Sequence, residues 1–370
     1  MLKHRLKMGL REAYARLLFH TGLHALVDRW MPRRLTILAG HCVAPGPGDP
    51  PWPGGEHLPG DMKIGREKLE RIVSWFQGRY RVCNIAAGVE ALAAETATGS
   101  SGTGAHGGGR SLLALSMDDG YRDNYEVMFP LLQRLGVSAT VFLESRPLDE
   151  RRLGWSHKLF WILARVSAAE FVERYGAVTE RRPPFAELEV AARAPDSTYR
   201  VKRILKYDVE PAECERAVDA VFAELGGAEA ELCDALYMTW EQARALRDAG
   251  VELGGHTISH PILSRLDEPA ALAEIRGGAE AMARELGGRP ATFAYPWGRR
   301  WDFDDASRRA VGESGFRTAV TMHGGTNDAR TDPTCLHRLA IDDGARLHLL
   351  VAEACGGFDL ARRFGLDLSE

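Results

Sequence analysis

Two rhythms of apolar and polar positions alternate along this chain. Short apolar runs at 34–41, 80–85, 111–117, 138–143, 291–295 and 316–321 read as buried strands. Between them, apolar residues recur every three or four positions, as in Leu69, Ile72, Val73 and Phe76, or Val127, Met128, Leu131, Leu132 and Leu135, which predicts amphipathic helices. Helices are also expected over 269–286 and 304–314. Thr239 with Gln242 reads as an N-cap and first turn of a helix ending at Gly250, and Val251-Glu252-Leu253 as a short strand after it. Strand, helix, strand in repetition predicts parallel pairing through right-handed crossovers.

Three stretches depart from this rhythm. Residues 147–237 are helical and charged throughout, which predicts a helical insertion. The segment 96–110 is rich in Gly, Ser and Thr, a composition that cannot pack a core, so His106 within it is expected to be solvated. At the start, Leu6, Leu10, Tyr14, Leu17, Leu18 and Leu26 recur at helical spacing among Lys3, Arg5, Lys7, Arg11 and Arg16. This predicts a basic amphipathic helix over 1–33, stopped by Pro32. Two readings of it stay open: contact with a membrane surface or partner, or packing on its own domain with a solvated basic face.

A 45% hydrophobic content over 370 residues supports a sizeable core. Lys+Arg 47 against Asp+Glu 51 gives a net charge of -4, so no whole-chain field would draw in nucleic acid. The six cysteines, Cys42, Cys83, Cys214, Cys233, Cys335 and Cys355, are dispersed without a Cys-x-x-Cys, which argues against a zinc ribbon or a disulfide framework and fits a reducing compartment. No signal peptide or membrane span is evident. The expected location is cytoplasmic, with the N-terminal helix as a candidate contact to the inner membrane.

Candidate chemistry gathers in two places. Asp118 and Asp119 follow the apolar run 111–117; side chains alternate along an extended chain, so one carboxylate could bind a cation while the other faces substrate. His256 and His260, four residues apart, would share one face of a helical turn. One carboxylate and two imidazoles leave a metal's remaining positions open, as hydrolysis needs. Each half alone has a plainer reading: Asp-Asp-Gly as a turn, and His-x-x-x-His as a chance helix-surface pair.

Asp118-Asp119-Gly120-Tyr121-Arg122-Asp123-Asn124, Gly254-Gly255-His256-Thr257-Ile258-Ser259-His260-Pro261 and Phe293-Ala294-Tyr295-Pro296-Trp297-Gly298 occur in this order, each beside a strand-like run. Together they resemble the polysaccharide deacetylase family (carbohydrate esterase family 4, NodB-homology domain), of the exopolysaccharide-associated type with a helical insertion. The resemblance runs from about residue 35 to about 342. It implies an α/β fold, a distorted (β/α)7-type barrel, laid out as an N-terminal helix 1–33, barrel 34–146, insertion 147–237, barrel 238–350 and a C-terminal tail 351–370. It also implies that Asp119, His256 and His260 bind a divalent metal, most readily Zn2+, with Co2+, Mn2+ or Fe2+ as alternatives, and that Asp118 is the general base. The backbone N–H of Trp297 would hold the oxyanion, and Tyr121, Tyr295, Pro296, Trp297, Gly298 and His41 would contact substrate. Core packing of Tyr295 and Trp297, and a structural role for His41, are the plainer alternatives.

Two departures stand out. The family's third motif has an Arg two residues before its Pro, where this chain has Ala294; Arg338 is expected to replace it on Asp118, against the alternative of a solvated pair with Asp342 or Asp343. The family's final Leu-x-His, which donates the catalytic acid, is not cleanly present; His337 and His348 are the candidates. The activity expected by resemblance is metal-dependent removal of an N-acetyl group from an N-acetylhexosamine-containing glycan or lipid-linked precursor. A same-fold hydrolase of a small amide, and a silent glycan-binding or scaffold protein in polysaccharide synthesis, are the rival readings.

Overall fold

Among the described residues, eight of the ten strands lie in one parallel sheet. The computed structural model describes residues 2–97, 110–366 and 368, so His106 lies outside the described residues. The strands are β1 (Leu35–Gly40), β2 (Cys42–Ala44), β3 (Lys63–Gly65), β4 (Arg81–Val82), β5 (Leu112–Met117), β6 (Thr140–Leu143), β7 (Glu252–Gly255), β8 (Thr292–Ala294), β9 (Thr318–Val320) and β10 (Leu339–Ala340). The large sheet runs β10-β1-β5-β6-β7-β8-β9, with β4 on β5, while β2 and β3 pair separately. β1 and β5 are buried at every position and pair in register from Leu35↔Leu112 to Gly40↔Met117. Strands covered on both faces need continuous apolar runs, which is why they stood out in the sequence.

The chain divides into two compact units, one of Met1–Pro51, Gly60–Ser145 and Met238–Glu370, the other of Trp52–Pro59 and Arg146–Tyr237. In the first, Leu35, Ile37, Leu112, Ala114, Phe142, Ala294 and Val320 form one buried cluster with Leu336. The β9 edge meets the segment before β10 through a parallel bridge, Val320↔Leu336, and a hydrogen bond from Thr321 N–H to the Leu336 carbonyl. The sheet therefore curls back on β1 as a distorted (β/α) barrel. Because the strands are parallel, the residues after β1, β5, β7, β8 and β9 emerge at one end.

Some expectations need correction. The run 80–85 is a strand over Arg81–Val82 alone; a helix, Ile85–Ala97, starts where Asn84 Oδ1 accepts from Ala87 N–H. Its Gly88 lies against Leu35, with room for no side chain, since a Cβ there would come within 2.8 Å of a Leu35 methyl. The N-terminal helix is two helices, Leu2–Thr21 and Leu23–Trp30, separated by Gly22 at φ 76°. The expected C-terminal tail is also helical, over Leu347–Ala354 and Gly357–Arg363, because Ala352, Cys355, Phe358 and Ala361 pack with Ala15, Leu18, Val27 and Met31. No helix among the described residues is long and apolar enough to cross a membrane.

The second unit is helical, from Trp155–Leu163 to Glu229–Leu236, over a core that includes Leu159, Ile162, Phe171, Val218 and Val221. Lys158 is buried there and satisfied by Asp219 at 2.6 Å and Glu229 at 2.9 Å. Trp52–Pro59 joins this unit rather than the barrel: Gly54, in a left-handed conformation, lies against Leu232, Ala235 and Leu236.

Candidate metal centre

Asp118 and Asp119 diverge by a different route from strand alternation. β5 ends at Met117, and Asp118 N–H still donates to the Gly40 carbonyl at 3.0 Å. Asp119 and Gly120 then both take positive φ, 76° and 81°. Asp tolerates this region better than most residues, and Gly120 is required by space, since a Cβ there would lie 2.8 Å from Leu143 Cδ2. The turn and the site are thus one feature, and the left-handed step is what turns the second carboxylate away from the first.

The two histidines are not on a helical turn either. After β7 the chain runs as an irregular loop with Thr257 at φ 67° and His260 at φ 57°. Thr257 Oγ1 accepts from His260 N–H at 3.0 Å, and the Glu274 carboxylate accepts from Ile258 N–H, Ser259 N–H and Ser259 Oγ at 3.1, 2.9 and 2.7 Å. Glu274 was not anticipated from the sequence. It lies on the helix Glu268–Leu286, and nothing in the motif points to it.

This loop brings His256 Nε2 to 3.3 Å and His260 Nε2 to 3.6 Å from Asp119 Oδ1, and one ligand atom from each residue lies within 4.8 Å of the others. His256 Nδ1 is 2.7 Å from the Ala294 carbonyl, an acceptor, so Nδ1 carries the proton and Nε2 faces Asp119. With a neutral imidazole, two acceptors then face one another in a buried site. A proton or a cation between them resolves the conflict. Burial opposes charge on Asp119, but the imidazoles of His256, His260 and His41 hold it well below the usual carboxylate range; burial likewise opposes charge on His256, and Asp119 and Asp118 raise it. Asp119 Oδ1 is buried with no donor aligned on it. One anionic oxygen and two imidazoles around that atom fit a divalent cation.

Asp118 is satisfied instead by Arg338. Arg338 Nη1 and Nη2 each donate to one Asp118 oxygen at 2.7 Å, Nε donates to the Thr321 carbonyl at 2.8 Å, and Nη1 reaches Ser116 Oγ at 3.3 Å. Both residues are buried. Burial would raise the Asp118 pKa, yet Arg338, His256 and His41 together lower it. Asp342 and Asp343 accept from backbone N–H groups of Gly344 and Gly65, not from Arg338.

Residues 212–319 match the family model described as Polysaccharide deacetylase, a stretch that holds the histidine loop and the Tyr295–Gly298 motif. Over that stretch, under a third of the chain, the sequence resembles the polysaccharide deacetylase family. No curated protein matches it in sequence. Among solved structures it is similar to the deacetylase PplD of Streptococcus pyogenes in complex with acetate, with 14% identity, TM-score 0.55, and coverage of 88% of this chain and 99% of that one. IcaB from Ammonifex degensii is similar at 15% identity and TM-score 0.53, covering 87% and 97%. BC0361, a polysaccharide deacetylase from Bacillus cereus, shares 12% identity at TM-score 0.50 over 87% and 69%. Likeness at these identities is likeness of fold, and the fold is that of the deacetylases.

The deacetylase resemblance also singled out substrate residues, and the structure divides them. Trp297 is part-exposed, at φ 62°, with its ring 5.1 Å from that of His260. Tyr295 is core: it is 1% exposed, stacked on Phe303 at 4.1 Å, and donates from its hydroxyl to the Thr334 carbonyl. Burial pushes its hydroxyl pKa up. Tyr121, Pro296 and Gly298 are also buried, and a Cβ on Gly298 would lie 2.8 Å from Met322 N. His41 is part-buried; its carbonyl accepts from Asn124 Nδ2 at 2.9 Å, which ties the turn after β1 to the Asp118–Asn124 segment. Of the two acid candidates, His348 is engaged elsewhere, 2.7 Å from Glu12 on the N-terminal helix. His337 lies next to Arg338, its ring 6.1 Å from that of His323 and its Nδ1 3.4 Å from the Gly324 carbonyl.

Proposed function

We propose that this protein removes an N-acetyl group from an N-acetylhexosamine-containing glycan or lipid-linked glycan precursor, with a divalent metal held by Asp119, His256 and His260. The observation that carries the proposal is the division of labour between two adjacent buried carboxylates: Asp118 is paired by an arginine fork, and Asp119 faces two imidazoles with an unmet acceptor oxygen. When bound, zinc, or cobalt, manganese or iron in its place, would supply Lewis-acid polarisation of the amide carbonyl and of the attacking water. Asp118 takes that water's proton. Its two oxygens each keep a lone pair beyond those used by Arg338, and the fork keeps the carboxylate ionised, oriented and away from the metal ligands. The Ala294 carbonyl fixes the His256 tautomer. The Trp297 backbone N–H is the proposed oxyanion donor, and its ring offers an apolar wall to a sugar face. Asp118, once protonated, returns the proton to the leaving amine, since a carboxyl beside a guanidinium gives it up readily.

Part-exposed Trp297 and exposed Trp301, on one loop after β8, favour an extended glycan over a small amide. Asp118, Asp119, His256 and His260, all present and gathered in one place, favour an enzyme over a silent binding protein. Acetate release from N-acetylated oligosaccharides and nucleotide sugars, measured with and without a chelator, tests this reading. Release that survives complete chelation, or no release from any N-acetylated sugar by metal-loaded protein, would overturn it.

A further inference from the structure

Exposed large apolar side chains are concentrated at one place in the barrel unit. Of the eleven among the described residues, eight lie on the first two helices or just after the last one. On Leu2–Thr21 the inner face is occupied, with Ala15 and Leu18 buried, yet Leu6, Leu10 and Leu17 face solvent together with Ala13, at spacings of four, three and four. Leu23, Leu26 and Trp30 form a second outward stripe on Leu23–Trp30, with Trp30 69% exposed, and Phe364 follows the last helix at 83% exposed. Each stripe keeps the i, i+3/i+4, i+7 spacing of a face meant to be covered.

Charge decides between coverings. Residues 1–34 carry eight Lys and Arg against two acids, a net of +6 in a chain whose total is -4. The acid on the first helix, Glu12, is shared among Arg16, Arg346 and His348. Two such faces would repel each other, which disfavours a second copy of this chain. An anionic surface is attracted to it. Where the second helix stops at Pro32, a cleft of about 440 Å³ is lined by Arg34, Arg330, Arg362 and Arg363 against Asp328 and Asp359. Arg34 is 7% exposed, and although Nη1 reaches Asp359 and Thr326, its Nε is buried with no acceptor. A cleft lined by four guanidinium groups against two carboxylates is net positive and suits a phosphodiester oxygen.

We propose that these helices dock the protein onto an anionic phospholipid surface, the leucine and Trp30 stripes entering the headgroup boundary and the arginine cleft taking a lipid phosphate. The proposal stands apart from the reaction, because none of these residues touches the metal centre. The test is co-sedimentation of the full chain with phosphatidylcholine vesicles, alone or mixed with phosphatidylglycerol. Binding to the mixed vesicles should exceed binding to the neutral ones at least about tenfold and weaken with salt. Leu10→Glu with Leu17→Glu should reduce it by about tenfold or more without changing thermal unfolding, as exposed positions allow. Lys7→Glu with Arg29→Glu should reduce it by about as much through charge alone. Absence of binding to mixed vesicles, or binding that both pairs of substitutions leave intact, overturns the proposal. So does a wild-type dimer in solution that L10E/L17E turns into monomers, since a second copy would then cover the face.

Discussion

Asp118 and Asp119 are adjacent, equally buried at 4% exposure, and are met by different partners. One has every oxygen engaged by a guanidinium; the other has an oxygen that nothing satisfies, facing two imidazoles. Desolvation alone would raise both pKa values, yet both are lowered, each by its own partners: a permanent cation beside the proposed base, titratable rings beside the proposed metal ligand. A third buried acid of the same segment, Asp123, shows what happens without either. Its partners are the Val43 N–H and the Asn124 amide, and burial pushes it up to about 7.

The strongest break in this comparison is expected from Asp119→Asn or His256→Ala. Outer-shell substitutions alone cost about 10- to 100-fold in metal affinity, so removal of a direct ligand should leave the protein metal-free by elemental analysis and at background activity. Asp118→Asn should instead keep the metal and lose turnover roughly 10²- to 10⁴-fold. If metal content fell as well, the two carboxylates would not be dividing the work. Arg338→Met should destabilise the fold by about 3–5 kcal/mol in urea unfolding, because it strands a buried charge. Adding Asp118→Asn should recover much of that loss, and a double mutant no more stable than the single would argue against the pair.

Asp123 supplies the smallest effect and a control of opposite sign. Its folded pKa, about 7, lies above the usual carboxylate value, so the folded state binds the extra proton between about pH 4 and 7 and stability falls as pH rises through that window. The full shift corresponds to roughly 4 kcal/mol as an upper limit, since local water entry relieves part of it. In Asp123→Asn this portion of the pH dependence should be absent. A wild-type stability profile that is flat from pH 5 to about 8 would show that Asp123 is ionised at no cost.

Much of this was legible before folding, for physical reasons that differ by region. β1 and β5 were plain because parallel strands covered on both faces have to be apolar at every position. The Thr239–Gln242 capping box is local chemistry and survives intact. Arg338 could be tied to Asp118 by resemblance alone, since 220 positions separate them and no period links them. The histidine loop was misread as helix because His-x-x-x-His matches the helical repeat, while its actual geometry depends on Thr257 and on Glu274 from a later helix. The helix Ile85–Ala97 was hidden by small residues whose apolar face is not set off by charge. Helices after residue 346 were missed because their apolar positions find partners near the opposite end of the chain.

The carboxylate of Glu274 has one more implication. It accepts from two backbone N–H groups and the Ser259 hydroxyl between His256 and His260, while Gly278, on the same helix, lets that helix press against Thr257, where a Cβ would come within 2.9 Å of the backbone. The loop that carries both imidazoles is therefore held by contacts of the fold itself, so part of the entropy of ordering it is spent in folding. Loosening the loop from that helix would let both rings drift from Asp119 without touching any of the three side chains.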